Sequence, residues 1–235
     1  LDDRNASPLN PLPPVVWALV LPMIAMEIVL SAGEAGLTGG PAAIGWRLEA
    51  LQRFAFSPEY LRQMVAAWVW PWDGLMRLVT YPVVSMSTTQ TLFEVVITLA
   101  LGKFTGEVFR WWGILALFLG ATVVGAMAYA AVPGTQMALS GAYPGIYGLI
   151  GGFTFVLWRR QKAMGANQLM AFRLIGFLLA IRIVFGVGAV LAYGAAAGTG
   201  FDWVAELAGF ALGFGLSFFV TPGGWAEIRA RLRGR

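Results

Sequence analysis

Ser140-Gly141-Ala142-Tyr143-Pro144-Gly145-Ile146-Tyr147-Gly148-Leu149-Ile150-Gly151-Gly152 is mostly apolar, yet it carries glycine where a lipid-facing helix would carry bulk. Gly141 and Gly145 are four residues apart, as are Gly148 and Gly152. That spacing lays a strip without side chains along one helix face. Ala205, Gly209 and Gly213 repeat it further along the chain. Small-residue strips let two backbones approach closely, and in lipid such packing holds helices together. The two strips predict either ordinary close packing or two helices pressed together so that residues near their outer ends meet. Pro144 lies where a missing N–H is harmless and predicts a helix start.

Outward from this stretch the chain is of one kind. It has 235 residues, of which 58% are hydrophobic and only 12% charged, with a mean hydropathy of +0.72. A water-soluble domain has roughly 25% charged residues. Ten Trp and sixteen Phe exclude a disordered chain. There is no Cys and no His, which removes disulfides, thiol nucleophiles, imidazole acid/base chemistry and the usual zinc and haem ligands. No metal and no cofactor is expected.

A spanning helix needs about 20 mostly apolar residues. Six stretches approach this: 15–32, 83–102, 112–132, 142–158, 172–193 and 203–221. The fourth reads as a short helix or one sheltered inside a bundle. A seventh run, 64–72, is too short to cross. With Trp68, Trp70 and Trp72 it reads as an interfacial or re-entrant segment. The expectation is an all-α polytopic membrane protein, a six-helix bundle. Its parts are an N-terminal tail (1–13), a membrane domain (14–221) with a long outside loop (33–82), and a basic C-terminal tail (222–235). No cleavable signal peptide is expected in the first tail, which lacks a basic n-region.

Basic residues set the orientation. One side would hold Arg4, Lys103, Arg110, Arg159, Arg160, Lys162, Arg173, Arg229, Arg231, Arg233 and Arg235, the other only Arg47, Arg53, Arg62 and Arg77. The positive-inside rule then puts both termini in the cytoplasm. The net charge of +4 is thereby an insertion signal with a minor contribution to anionic-lipid binding, and nucleic acid is excluded as a partner.

Four segments together resemble the rhomboid family of six-helix intramembrane serine proteases. Gly141-Ala142-Tyr143-Pro144-Gly145-Ile146-Tyr147-Gly148-Leu149 is similar to the family's Gly-Ala-Ser-Gly-Ala-Ile-Tyr-Gly-Leu type motif. Arg77-Leu78-Val79-Thr80-Tyr81 resembles its Arg-Leu-Leu-Thr-Tyr entry into the second helix. Gly102, Gly106-Glu107 and Phe109 to Trp112 fall where that helix closes and the third begins. Ala205-Glu206-Leu207-Ala208-Gly209-Phe210 resembles Ala-His-Leu-Gly-Gly-Phe of the sixth. The resemblance runs from about Arg77 to Leu216.

For activity the resemblance implies the opposite of the fold. The nucleophilic serine falls on Tyr143, the base histidine on Glu206, and the helix-two His-x-x-x-Asn pair on Gln90 and Glu94. Proteolysis of this type needs an imidazole to take and return the hydroxyl proton. A carboxylate at an oxyanion site would repel the developing charge. Ser140 is a turn away with no histidine to activate it, and Lys103 and Lys162 belong to the opposite membrane face. No enzyme activity is expected. Tyr143 either simply starts a helix or plugs the former active site.

Ionisable groups inside spans are expensive and face a partner or a cavity. Glu27, Glu94, Arg182 and Glu206 are such groups. In the family fold the second and fifth helices border the lateral opening, so the expectation is that Arg182 pairs with Glu94. The pair would be a static bridge or a docking point for a partner helix, with a proton relay through Glu94 and Glu206 as a third reading. Glu27 faces either a cleft or a partner. Phe153, Phe155, Phe210, Phe214, Phe218 and Phe219 read mostly as lipid-facing filler.

A rhomboid scaffold without a nucleophile still admits another protein's transmembrane helix, and the resemblance implies an inactive member of the kind that acts in quality control, trafficking and complex assembly. The leading expectation is a chaperone or adaptor that binds transmembrane helices in a bacterial inner membrane, with membrane proteins and lipids as partners. The alternative is a fixed accessory subunit of a larger respiratory or photosynthetic complex.

Overall fold

Two of the small-residue strips meet. Helix α7 (Tyr143–Ala163) packs extensively against both α6 (Trp111–Ala131) and α9 (Asp202–Val220), which also pack against each other. A Cβ added to Gly213 would run into the Gly148 carbonyl, and one added to Gly209 into that of Pro144. On the other side of α7, a Cβ on Gly145 would lie 2.9 Å from the Phe118 ring of α6. At Gly209 and Gly213 no residue larger than glycine fits without moving a backbone, and at Gly145 the Phe118 and Thr122 side chains would have to shift. The packing is therefore written in the glycines.

The structure is a computed structural model and describes residues 12–193 and 201–221. Residues 1–11, the expected loop at 194–200 and the expected basic tail 222–235 lie outside the described residues, and with them Arg4, Arg229, Arg231, Arg233 and Arg235. The described residues are helical, without a strand; Phe56 and Leu139 form an isolated bridge.

Six long helices coincide with the six apolar stretches: α1 (Pro14–Glu34), then, after three short helices, α5 (Thr88–Gly106), α6, α7, α8 (Arg173–Tyr193) and α9. Among the described residues α1, α6 and α9 are each long and apolar enough to cross a membrane. The pair 72–83 and 88–106 passes the same test when taken together and is bent by 82° at its break, as a broken span or a re-entrant loop. Of the two readings of the fourth stretch the sheltered helix holds: α7 has 21 residues and is buried without a break from Pro144 to Gly152. Arg160 and Lys162 extend its last turn, where cations suit the helix carbonyls.

The boundaries follow from local chemistry. Pro14, Pro58 and Pro144 sit in the first turns of their helices. Ser87 caps α5 by accepting from the Gln90 amide at 3.2 Å.

Residues 33–82 are not an extended loop. They fold into α2 (Trp46–Phe54), α3 (Pro58–Ala67) and α4 (Trp72–Thr80). The Arg47 guanidinium of α2 donates to Glu27 at 2.8 Å, to Glu34 at 2.5 Å and to the Ser85 carbonyl at 3.1 Å. Its hydrogen bonds to Glu27 and Glu34 hold its pKa above the ordinary arginine value, so it remains a cation at any working pH. Glu27 also accepts from Ser31, Thr88 and Thr91, and so it faces an internal clamp. Arg62 of α3 donates to the Ala130 and Thr135 carbonyls at 3.0 and 2.9 Å. The loop is thereby fastened to α1, α5 and α6. Trp68, Trp70 and Trp72 stay exposed between α3 and α4.

The phenylalanines differ from expectation. Phe155 is buried and stacks with Phe218 at 4.6 Å and with Trp158 at 6.1 Å. Phe214 joins the same cluster, and Phe210 is buried too. They lie between α7 and α9 because the glycine strip draws those helices together and the aromatics fill what opens beyond it. Phe219 alone of the six is largely exposed.

Candidate functional site

The start of α7 is set by a loop that has to bend sharply. Gly141 takes φ +88°, and its amide donates to the Tyr81 and Val84 carbonyls at 3.0 and 2.9 Å. A Cβ there would meet the side chains of Glu94 and Gln90. Only glycine lets this loop lie directly over α5.

Beneath it, Glu94 is fully buried. One carboxyl oxygen accepts from the Gln90 amide at 2.8 Å and the other from the Ser85 hydroxyl at 2.8 Å. Gln90 is itself fixed, its side-chain oxygen accepting from the Met86 amide at 3.3 Å. The expected Arg182–Glu94 pair is absent. Helix α8 packs against α9 and the turn before it, with no comparable interface to α5, so Arg182 meets the carboxyl that α9 carries.

That carboxyl is Glu206, 1% exposed. Arg182 Nη2 donates to Glu206 Oε1 in an ion pair, while the Arg182 side chain keeps 40% of its surface exposed. The guanidinium also lies over the Tyr143 ring, 5.0 Å from its centroid, the geometry of a cation–π contact. Tyr147 lies one turn further along α7. Its hydroxyl is placed to donate to the Glu206 carboxyl, while Oε2 makes no hydrogen bond of full geometry. The structure thus brings together Tyr143, Arg182 and Glu206, and separately Gln90 with Glu94. Glu27 belongs to the Arg47 clamp, away from both.

A cavity of about 140 Å³ opens among these groups, with Gln90, Ser140, Tyr143, Arg182, Asp202 and Glu206 in its wall. Among the described residues Ser140 supplies its only aliphatic hydroxyl. No imidazole faces it, since the chain has none. Among the described residues no group of three or more acidic side chains is arranged to hold a metal ion.

Two residues of this region escape a sequence reading. Ser85 precedes α5 in an unremarkable Val-Ser-Met run, and Arg47 stands in the 33–82 segment, outside the apolar stretches. The signal for both was the buried carboxyl each one satisfies: an acid inside a span requires donors, and the nearest polar residues are the ones to search.

A family model for the rhomboid domain matches residues 73–223, well over half of the chain. The chain belongs to the rhomboid family. The matched region of this rhomboid holds α4 to α9 and every residue in the cavity wall, and it leaves out α1 and most of the 33–82 segment. No curated protein matches the chain in sequence. On the family motifs quoted above, Tyr143 and Glu206 stand at the positions that resemble the nucleophile and the base, and here both are engaged by Arg182.

Proposed function

We propose that this rhomboid does not cleave peptide bonds and serves as a chaperone or adaptor that binds the transmembrane helices of other membrane proteins. It would do so in a bacterial inner membrane, crossing six times with both termini in the cytoplasm. The observation that carries the reading is the Tyr143–Arg182–Glu206 cluster. Acyl transfer requires a hydroxyl beside a base that can take its proton and give it to the leaving amine. At these positions the cluster offers a stacked phenol and a carboxyl committed to a guanidinium.

The oxyanion side supports the same reading. The Gln90 and Ser85 donors, which would otherwise be free to polarise a substrate carbonyl, are spent on the chain's own Glu94. What remains is a bundle whose α5 and α8 are not packed together, the side on which the family resemblance implies that a substrate helix enters. Admission of a helix needs that opening and does not need a nucleophile.

The test uses the purified full chain in bilayers, a transmembrane substrate and a fluorophosphonate probe. The expected result is crosslinking to the substrate helix without cleavage and without labelling. Labelling at Ser140, or a cleaved product, overturns the reading. Gentle purification from native membranes separates the two non-enzymatic roles: a chaperone yields a substoichiometric mixture, whereas a fixed subunit of a larger complex yields one constant partner set.

A further inference from the structure

Resting on the helix-binding reading, we propose that the cavity between α5, α7, α8 and α9 receives one hydrogen-bond-donating side chain, an amide or an ammonium, carried by the partner's transmembrane helix. Glu206 is 1% exposed and stands in the cavity wall, and beside the Arg182 bond on Oε1 and the nearby Tyr147 hydroxyl its Oε2 makes no hydrogen bond of full geometry. A buried acceptor without a donor is unfavourable, and a ligand that supplies the donor removes that penalty. Asp202 lies one helical turn before Glu206 and stands in the same wall.

The charges point the same way. Two carboxyls, Asp202 and Glu206, share the wall with one guanidinium, that of Arg182, which already donates to Glu206. An acidic side chain entering here would place a third carboxyl beside the two. An amide or ammonium would instead meet an acceptor surplus.

Size and access limit the ligand to a side chain. By the same measure a water needs about 10–15 Å³, so about 140 Å³ admits the end of a Gln or Lys but not a second helix. On α8 the neighbours Ile181, Ile183, Val184 and Phe185 are all exposed, and Arg182 alone of this run turns inward. A helix lying against this apolar surface would be able to extend one polar side chain past Arg182.

The experiment measures binding of four synthetic Leu/Ala transmembrane helices to the full chain in lipid nanodiscs by energy transfer. Each helix carries Gln, Lys, Glu or Leu at one site in its headgroup-proximal third. The Gln and Lys helices should bind roughly tenfold tighter than the Leu helix, the scale of one hydrogen bond to a charged group, and the Glu helix no better than Leu. Arg182→Met/Glu206→Leu, which removes the acceptor without orphaning a charge, should abolish the preference for the Gln helix. Asp202→Asn keeps the Arg182–Glu206 pair, so it should stay folded and bind the Lys helix less tightly than the unaltered chain does, with the Gln helix unaffected. Equal binding of all four helices overturns this inference and leaves the helix-binding reading standing. Tightest binding of the Glu helix overturns it in favour of Arg182 as the reader. Failure of every helix to bind removes both.

Discussion

Replacing Arg182 by Met leaves Glu206 buried without its cation and with only the Tyr147 hydroxyl near it as a donor. Breaking a fully buried pair in this way costs about 3–5 kcal/mol. Arg182 keeps 40% of its side chain exposed, so water and headgroups screen part of the pair, and about 2–3 kcal/mol is the appropriate expectation. Loss of the contact with Tyr143 adds about 0.5–1 kcal/mol. In the double variant Arg182→Met/Glu206→Leu the orphaned carboxyl is gone, and most of the first loss should be recovered.

The double-mutant cycle is therefore expected to show about 2 kcal/mol of coupling between Arg182 and Glu206. A second cycle pairing Arg182→Met with Glu94→Gln should be additive within about 0.5 kcal/mol, because Glu94 bonds to Ser85 and Gln90 instead. Unfolding in mixed micelles, followed by near-ultraviolet dichroism of the tryptophans, reads both cycles. Additivity in the first cycle with coupling in the second would falsify the placement of α8 against α9.

Gly213→Val should prevent stable folding, since its first side-chain atom would collide with the Gly148 carbonyl, whereas Gly215→Ala, facing open space, should leave the melting temperature unchanged; thermal melts in detergent compare them. Phe155→Ala should lose about 2 kcal/mol, the packing part of the ~3–5 seen in soluble cores, and Phe219→Ala under about 0.5 kcal/mol, both measured by the same unfolding assay. Arg47→Met strands Glu27 and Glu34 together and should free the 33–82 segment, which limited proteolysis between α2 and α4 would report as new cleavage; unchanged protection would remove the clamp from the account.

Much of this architecture is legible in the sequence because the lipid imposes simple rules. Length and hydropathy mark the helices, and glycine spacing marks the α7–α9 contact, since in each case one chemical property decides the outcome. The aromatic residues are not legible in this way, for a related reason. Phe155, Phe214 and Phe218 are equally at home in lipid or in a core, so hydropathy cannot assign them, and only the approach of α7 to α9 puts them inside. The polar pairs were legible in part. That Arg182 needs a carboxyl follows from its place in a span, but the choice between Glu94 and Glu206 depends on which neighbour α8 packs against, a tertiary fact. Arg47 and Glu27 are twenty residues apart on different helices, and no local pattern joins them.

The tight α7–α9 contact has a consequence for α8. Because Gly209 and Gly213 bring α9 against α7, whatever stands at positions 143 and 206 is forced to share one small space. A buried carboxyl there, with no imidazole in the chain, has to find a cation, and the cation comes from α8. That helix contributes little else to the bundle from Ala180 onward: apart from Arg182 and Gly186, its described side chains from there to Ala192 are exposed. The hold on this half of α8 and the occupancy of Glu206 are therefore linked quantities. A donor that competes with Arg182 for Glu206 weakens the hold on α8 by as much as the hold on α8 weakens the donor, since coupling of two equilibria is reciprocal. A donor that takes only the unpartnered Oε2 leaves Arg182 on Oε1 and has no such effect. Comparing the mobility of a spin label at Val184 with and without a bound Gln helix separates these cases: mobility unchanged on binding marks the Oε2 site, and increased mobility marks displacement of Arg182.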